Sequence, residues 1–442
     1  MSVSYLLILT LLSIGVIIVG VSVFKWHPFI SLLVASLFLG ICTGLDVNKL
    51  IASYEAGVGD VLGNLAGIIG LGTILGKMLS DSGGGYQIAN SLTNKFGVKN
   101  IHWAMLFSGF IIGIPVFFEV GLVILLPLVI AISKGSGRSI LFIGLPVLAG
   151  LSIVHGLVPP HPGAMIAVTA YHADTGKLLL YSLVIALPTA MIAGPIYGKW
   201  IDKRLKPKGK PTIFVGETAY EKVPTFGISL FTVILPVLIM ILSVASTALP
   251  IGDKMESLLS FLGNPLIALL ISVFVAFFTL GYHQGMTKEK INRLSEECLM
   301  PLATILLIMG AGGGYKQILI DSGVGRAIAD LSGNLHLSPI VLAFFVAAFI
   351  RVATGSATVA LTTAAGIVSP IVEQMTGVNK ELLVIATGAG SLIFSHVNDS
   401  GFWMVKEYFG LTVKETFKSW TVMETLLSLI AFGLALLFDF IM

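Results

Sequence analysis

The sequence has 442 residues, of which 56% are hydrophobic and only 11% are charged, and its mean hydropathy is +0.97. Soluble domains average about 25% charged residues, so this composition excludes a water-soluble globular protein and predicts a chain embedded in a lipid bilayer. The formal net charge of +3 is small for this length and gives no indication of a nucleic-acid partner. The two cysteines lie in or beside apolar stretches and support neither a disulfide framework nor a cysteine metal site.

The apolar segments predict an all-α integral membrane protein, because about 20 apolar residues in a helix cross a bilayer core of about 30 Å. The first segment has no basic residue before it and no cleavage site, so we expect it to remain as a span rather than a signal peptide. We read the segments, some of them short enough to be half-spans, at 5–24, 28–44, 57–79, 101–118, 120–133, 139–158, 178–198, 226–249, 259–281, 298–320, 337–352, 357–372, 381–396 and 421–441.

The main hydrophilic interruption lies near the middle of the chain and is rich in lysine and arginine between Lys199 and Lys222. By the positive-inside rule we predict that residues 199–225 form a cytoplasmic linker. The linker separates a first half, residues 1–198, from a second half, residues 226–442. Counting spans outward from the linker places the N-terminus outside.

The two halves share a sequence repeat. Residues 72–89, GTILGKMLSDSGGGYQIA, align with residues 312–329, GGGYKQILIDSGVGRAIA, and eight positions are identical, including the pattern D-S-G-x-G. The loop charges place the first D-S-G loop inside and the second outside, which predicts an inverted-topology repeat. The alternative is a chance likeness of two Gly/Leu/Ile-rich helices, which the preserved order of the loop tripeptide disfavours.

Each half also contains a position where a helix should be interrupted. In the first half this is VPPHPG at 158–163, whose prolines remove backbone donors and clash with the preceding turn. In the second half it is HVNDSG at 396–401. Opened helix ends expose backbone groups that lipid cannot satisfy, so two breaks in matching positions indicate the binding site of a transporter.

Before each break, a short kink separates two apolar arms, near 113–133 in the first half and near 351–372 in the second. Arms of about 12–15 residues are too short to span comfortably, which favours re-entrant hairpins with their tips near mid-membrane. We therefore expect the two hairpin tips and the two helix breaks to converge on one cavity.

The run IPVFFEVGLVILLPL, the VPPHPG break, the paired D-S-G loops and the HVNDSG motif together resemble the gluconate:proton symporter family of bacterial inner membranes, over essentially the whole chain. The resemblance implies proton-coupled uptake of gluconate or a related sugar acid, with D-serine, idonate and fructuronate carriers as relatives. The proton gradient then drives transport, and no cofactor is expected. The wider ion-transporter superfamily implies a homodimer in which a fixed scaffold holds a mobile, elevator-like transport domain.

Uncharged donors at the second tip and polar groups at the breaks are the candidate substrate ligands. A carboxylate or a polyol chain needs such hydrogen-bond partners, although Ser and Thr also bond back onto their own helices. Asp399 has the alternative role of capping the helix that follows it. The predicted substrate-binding residues are Thr354, Ser356, Thr358, Asn398, Asp399, Ser400 and His161.

Proton coupling is predicted at Glu119, Asp399 and His396. An ionisable side chain at membrane depth is costly and indicates a functional site, and histidine titrates near neutral pH. The alternatives are a glutamate that lies in water or pairs with a helix end, and a histidine that only bonds a carbonyl group. Arg351 is a possible partner for a substrate carboxylate, but at the end of its segment we expect it to snorkel to the interface.

Three rival classes are less consistent with the sequence. The glycine-rich stretch at 70–78 lacks the spacing of a phosphate-binding loop, so an ATP-driven pump is not indicated. The histidines lack the H-E-x-x-H pattern of an intramembrane metalloprotease, so an enzyme is not expected either. A channel also uses re-entrant loops, but the paired breaks favour alternating access. For His155 and Lys77 we expect structural rather than functional roles.

Overall fold

The computed structural model describes residues 3–205, 222–246, 252–300, 302–324, 338–373, 375, 377–397 and 399–441. Within these ranges the regular elements are helices, which confirms the predicted all-α class. Most of the central basic segment, residues 206–221, and part of the second repeat segment, residues 325–329, lie outside the described ranges.

The first half is a series of helices whose ends follow local sequence signals. Asp46 caps α3 by accepting hydrogen bonds from the backbone N–H groups of Asn48 and Lys49, and α4 is kinked at Gly97, where φ is +69°. The helices are α1 Val3–Ser22, α2 Pro28–Cys42, α3 Val47–Asp81, α4 Gly84–Gly113, α5 Phe118–Ser136, α6 Ile140–Leu157, α7 Pro162–Tyr171, α8 Thr175–Met191 and α9 Tyr197–Asp202.

The second half continues with α10 Phe226–Ser246, α11 Asp253–Gly263, α12 Pro265–Ala276, α13 Lys288–Leu299, α14 Leu302–Asp321, α15 Pro339–Thr354, α16 Ala357–Val372, α17 Lys380–Leu392, α18 Ser400–Phe409, α19 Val413–Thr416 and α20 Val422–Ile441. One-turn π-helical segments join α8 to α9 at Ile192–Ile196 and α19 to α20 at Phe417–Thr421. The last long helix of each half therefore contains the same irregularity.

Seven helical stretches among the described residues are long and apolar enough to cross a membrane, or up to eight if the bent α5 is counted as one span. They are fewer than the apolar segments of the sequence, because several segments form shorter helices. Among these are α15 and α16, of 16 residues each, on either side of the second predicted tip. A span needs about 20 residues, so this pair has the length expected of a hairpin that enters and leaves on one side.

The described elements that flank the site occur in the same order in both halves. In the first half, α4 and α5 meet at a turn around Pro115, and α6 is followed by the non-helical residues 158–161 and then by α7. In the second half, α15 and α16 meet at Gly355, and α17 is followed by a non-helical stretch and then by α18. A two-fold axis in the membrane plane relating residues 1–198 to 226–442 stays a prediction.

Two pairs of helices, each with one helix from either half, cross in contact at pairs of glycines. A Cβ atom on Gly57 of α3 would lie 2.3 Å from the carbonyl oxygen of Gly313 of α14, and the reverse distance is also 2.3 Å. A Cβ atom on Gly388 of α17 would lie 2.2 Å from the carbonyl oxygen of Gly156 of α6. Small residues allow helix backbones in membranes to approach this closely. These crossings hold together the helices that lead to the D-S-G loops and to the two breaks.

Candidate functional site

A cavity of about 680 Å³ lies where the two turns and the second break meet. Its wall includes Pro115 to Val120 from the first turn, Thr354 to Thr358 from the second turn, and Asp399 to Gly401 from the break. The volume lies within the range of about 300–1,000 Å³ that is usual for small-molecule sites. The structure thus brings both predicted hairpin tips and one of the two predicted breaks to a single cavity.

Three helices, α5, α16 and α18, begin at the wall of this cavity. Ser356 caps α16 by accepting a hydrogen bond of 3.3 Å from the Val359 N–H group, and Asp399 caps α18 by accepting one of 2.9 Å from the Gly401 N–H group. Each helix N-terminus contributes about half a positive charge. Their convergence makes the cavity favourable for an anion without a cluster of lysines.

Arg351 and Asp399 form an ion pair at the cavity wall, with 2.5 Å between Nη2 of the arginine and Oδ2 of the aspartate. The arginine is 3% exposed, and Nη1 donates to the carbonyl oxygen of Gly355. The expectation that Arg351 snorkels to the interface is therefore wrong. It is wrong because a buried carboxylate and the carbonyl end of α15 stabilise the charge where it lies. Nε of Arg351 has no hydrogen-bond partner among the described residues.

Ser395 connects the second break to the last long helix. Its hydroxyl donates to the Asp399 carboxylate and accepts a hydrogen bond of 2.6 Å from Nε1 of Trp420, and its carbonyl oxygen accepts from the Thr421 hydroxyl. Trp420 and Thr421 belong to the π-helical segment Phe417–Thr421. Asp399 is therefore held by an arginine, a serine and a backbone N–H group, and it both caps a helix and lines the cavity.

The hydroxyl groups predicted to bind substrate differ in their availability. Thr354 donates 2.8 Å to the carbonyl oxygen of Ile350 within its own helix. Thr358 and Ser400 line the cavity, and neither hydroxyl makes a side-chain hydrogen bond to the described part of the protein. Ser356 lines it as well, with its hydroxyl oxygen directed to the α16 backbone. Asn398, predicted to bind substrate, lies outside the described residues.

The two predicted histidines are not on the cavity wall. His161 is fully buried; its Nδ1 atom accepts a hydrogen bond of 3.0 Å from Gly163, capping α7. Its ring packs 4.7 Å from the ring of His155, centroid to centroid, and His155 does line the cavity. His396 lies outside the cavity, with Nε2 2.9 Å from the carbonyl oxygen of Val352. His396 thus makes the carbonyl contact considered as the alternative from the sequence, whereas the capping role of His161 was not anticipated.

Three glutamates, Glu119, Glu297 and Glu424, line the cavity. Glu119 lies in the first turn of α5 and is exposed to the cavity. Glu424 of α20, which was not singled out from the sequence, is 1% exposed and accepts a hydrogen bond of 2.9 Å from Ser152 of α6. The signal for it was present, because Glu424 is an ionisable residue near the start of the apolar segment at 421–441, the criterion that selected Glu119. Lys77, expected to be structural, also lines the cavity and pairs with Asp81 at 3.0 Å.

Comparison with known proteins gives a match over nearly the whole chain. The family model described as GntP family permease matches residues 5–441. The sequence is 49% identical to a gluconate permease of Pseudomonas aeruginosa, over 99% of this chain and 98% of that protein. It is 44% identical to a high-affinity gluconate transporter of Escherichia coli, over 95% and 96% of the two chains. It is 42% identical to the Gnt-II system L-idonate transporter of the same organism, over 92% of each.

The fold also resembles a solved structure. The YdaH transporter of Alcanivorax borkumensis superposes with a TM-score of 0.62 over 88% of this chain and 89% of that one, at 15% sequence identity. At this identity the likeness concerns the fold alone. The described helices are thus arranged as in a membrane transporter of known structure.

Proposed function

The chain belongs to the GntP permease family and is a membrane transporter rather than an enzyme, and on this basis we propose that it takes up gluconate together with protons across the bacterial inner membrane. The proposed substrate is a small organic anion with one carboxylate and several hydroxyl groups. The relatives named as gluconate permeases support gluconate first. Idonate, fructuronate and D-serine are the alternatives; relatives named as L-idonate and D-serine transporters belong to the same set of similar proteins.

The observation that supports this proposal most directly is the combination of Arg351 with three helix N-termini at one cavity. An arginine recognises a carboxylate through two parallel hydrogen bonds. In the structure Asp399 binds Nη2 of Arg351, while Nε is buried and has no hydrogen-bond partner in the described part of the chain. We propose that the substrate carboxylate binds Arg351 in place of, or beside, Asp399.

The polyol chain of the substrate then needs neutral hydrogen-bond partners. Thr358 and Ser400 offer hydroxyl groups at the N-terminal ends of α16 and α18, next to the proposed carboxylate position. Ser356 and Thr354 complete this side of the wall. A site built from hydrogen bonds rejects analogues that lack a hydroxyl group, because its own polar groups are left unpaired.

Proton coupling is proposed because carboxyl groups share the cavity with the substrate. Glu119 is exposed to the cavity, and Asp399 is in contact with the proposed carboxylate anchor. A proton on either group reduces the repulsion of an incoming anion, which couples the two binding events. His396 lies next to the same break and stays a candidate of lower rank because its contact is with a backbone carbonyl group.

Movement of the two hairpins and the two breaks as one unit, against a scaffold that forms a homodimer, is part of the proposal. The fold likeness to a transporter supports an alternating-access carrier of this general kind. The proposed orientation has the central basic segment in the cytoplasm and the N-terminus outside.

Transport by purified protein in proteoliposomes tests the proposal. We expect vesicles loaded with unlabelled gluconate to take up labelled gluconate by counterflow, and vesicles without internal gluconate to accumulate it when the outside is acidic. Excess unlabelled gluconate outside should inhibit more strongly than idonate, fructuronate or D-serine. Flux without counterflow would indicate a channel, and stronger inhibition by D-serine would identify the alternative substrate.

A further inference from the structure

Glu424 is a carboxyl group of the cavity wall with an incomplete set of partners. It is 1% exposed, and Oε2 accepts one hydrogen bond of 2.9 Å from Ser152. Oε1 is buried and has no hydrogen-bond partner among the described residues. No lysine, arginine or histidine of the described chain lies within salt-bridge distance of it. The described residues therefore enclose the group without placing a cation in contact with it to balance a negative charge.

This environment favours the neutral acid. A buried carboxylate that lacks a cation partner and has an unsatisfied oxygen is strongly disfavoured, whereas a protonated carboxyl group carries no charge. The charged groups that act on Glu424 from the neighbouring elements are Arg351 of α15 and Asp399 before α18. The other ionisable side chains of the cavity wall are Lys77, Glu119, His155, Glu297 and Cys298. Arg351 is already neutralised by Asp399 at 2.5 Å. The two charges act on Glu424 in opposite directions, so each offsets part of the other.

The location of Glu424 connects it both to the substrate cavity and to the second helix break. The residue belongs to the wall of the cavity that holds the proposed anion site, so the proposed proton site and the proposed anion site share one space. Its helix, α20, continues directly from the π-helical segment whose Trp420 and Thr421 bind Ser395 beside the second break. A rearrangement of the break on substrate binding would therefore be transmitted to the start of α20.

From this geometry we propose that Glu424 binds a proton that is transported with the substrate, in addition to the predicted site at Glu119. The inference rests on the proposed function, because it needs an anionic substrate in the same cavity. An anion and a proton bound in one cavity of low dielectric constant favour each other's binding, and such coupling is reciprocal. Release of the anion on the inner side would then promote release of the proton from Glu424.

Proteoliposomes containing the variant Glu424→Gln test this assignment. Glutamine keeps the shape and the Ser152 hydrogen bond but binds no proton. We expect counterflow of labelled gluconate to continue, because exchange needs no net proton movement. Accumulation driven by an acidic exterior should fall to a lower internal-to-external ratio than in the wild type, because only the site at Glu119 remains to couple transport to the proton gradient. The control Glu289→Gln makes the same chemical change at a side chain of α13 that is 69% exposed, and it should accumulate gluconate as the wild type does.

A second measurement does not depend on transport. The infrared spectrum of the purified wild-type protein should contain a protonated-carboxyl band that is lost in Glu424→Gln and retained in Glu119→Gln. In Ser152→Ala the band should move to higher frequency, because the carboxyl group of Glu424 loses the hydrogen bond that its carbonyl oxygen accepts from Ser152.

The outcomes separate this inference from the proposed function. Wild-type protein without gluconate counterflow would overturn the proposed function, and the inference with it. Wild-type counterflow and accumulation together with full accumulation by Glu424→Gln would overturn the proton site alone. Loss of both counterflow and accumulation in Glu424→Gln, or a carboxyl band unchanged in that variant, would also overturn it.

Discussion

Arg351 at the end of α15 and Asp399 before α18 are joined by an ion pair of 2.5 Å that ties the second turn to the second helix break. Both side chains are almost completely buried, and both line the cavity. The pair therefore fixes the relative position of the two elements proposed to hold the substrate, and it supplies the one guanidinium group of the described cavity wall.

Replacement of Arg351 by Gln should have two separable effects. It leaves Asp399 as an uncompensated buried charge, which costs about 3–5 kcal/mol of stability, and it removes the proposed carboxylate anchor. The double variant Arg351→Gln/Asp399→Asn should recover most of the thermal stability, measured in detergent, but should still fail to bind gluconate in a calorimetric titration. Gluconate binding by the double variant with wild-type affinity would contradict the anchor assignment.

The hydroxyl groups of Thr358 and Thr354 should contribute unequally to substrate binding. Thr358→Val removes a cavity hydroxyl that makes no side-chain hydrogen bond to the described protein, whereas the hydroxyl of Thr354 is engaged with the carbonyl oxygen of Ile350. We expect Thr358→Val to weaken gluconate binding by about tenfold, on the order of the 1–3 kcal/mol of an unsatisfied buried partner. Thr354→Val should weaken it less. Equal affinities of the two variants would argue against a direct contact with Thr358.

Replacement of Glu119 by Gln should reduce uphill accumulation more than exchange. Exchange proceeds without net proton movement, whereas accumulation requires the coupling site to load and unload. The two rates are compared in the same proteoliposomes, with Glu289→Gln as the variant of an exposed glutamate. Equal loss of both activities would assign Glu119 to substrate binding or to folding.

The glycine crossing of α3 and α14 gives a prediction about stability. A methyl group on Gly57 would lie 2.3 Å from the carbonyl oxygen of Gly313, while a methyl group on Gly59, two residues further along α3, meets no atom within 4 Å. Gly57→Ala should lower the free energy of unfolding by about 1–3 kcal/mol. Gly59→Ala should leave it unchanged or raise it by up to about 1 kcal/mol, because alanine favours the helix. Thermal unfolding in detergent measures both, and equal midpoints would contradict the close crossing.

The membrane class, the all-α fold and the family could be predicted from the sequence, because they depend on local properties. Apolar segments of spanning length, the basic central segment and the motifs around Glu119 and Asp399 are properties of consecutive residues. The turn at Pro115 and the break at Pro159–Pro160 follow from the backbone chemistry of proline and glycine, which acts within one helical turn. The D-S-G repeat is likewise readable without coordinates.

The partners of buried polar side chains were decided only by the tertiary structure. Arg351 was expected at the membrane interface but is buried against Asp399. Glu424 was not predicted as a site residue, and His161 was expected on the cavity wall but caps α7. These outcomes depend on contacts between residues far apart in the chain: Arg351 with Asp399, and Ser152 with Glu424, which are 272 positions apart. Whether a polar side chain at membrane depth reaches lipid headgroups, a cavity or a buried partner depends on which helices pack beside it. That choice depends on glycine crossings and helix ends from both halves together, so no local segment of the sequence determines it.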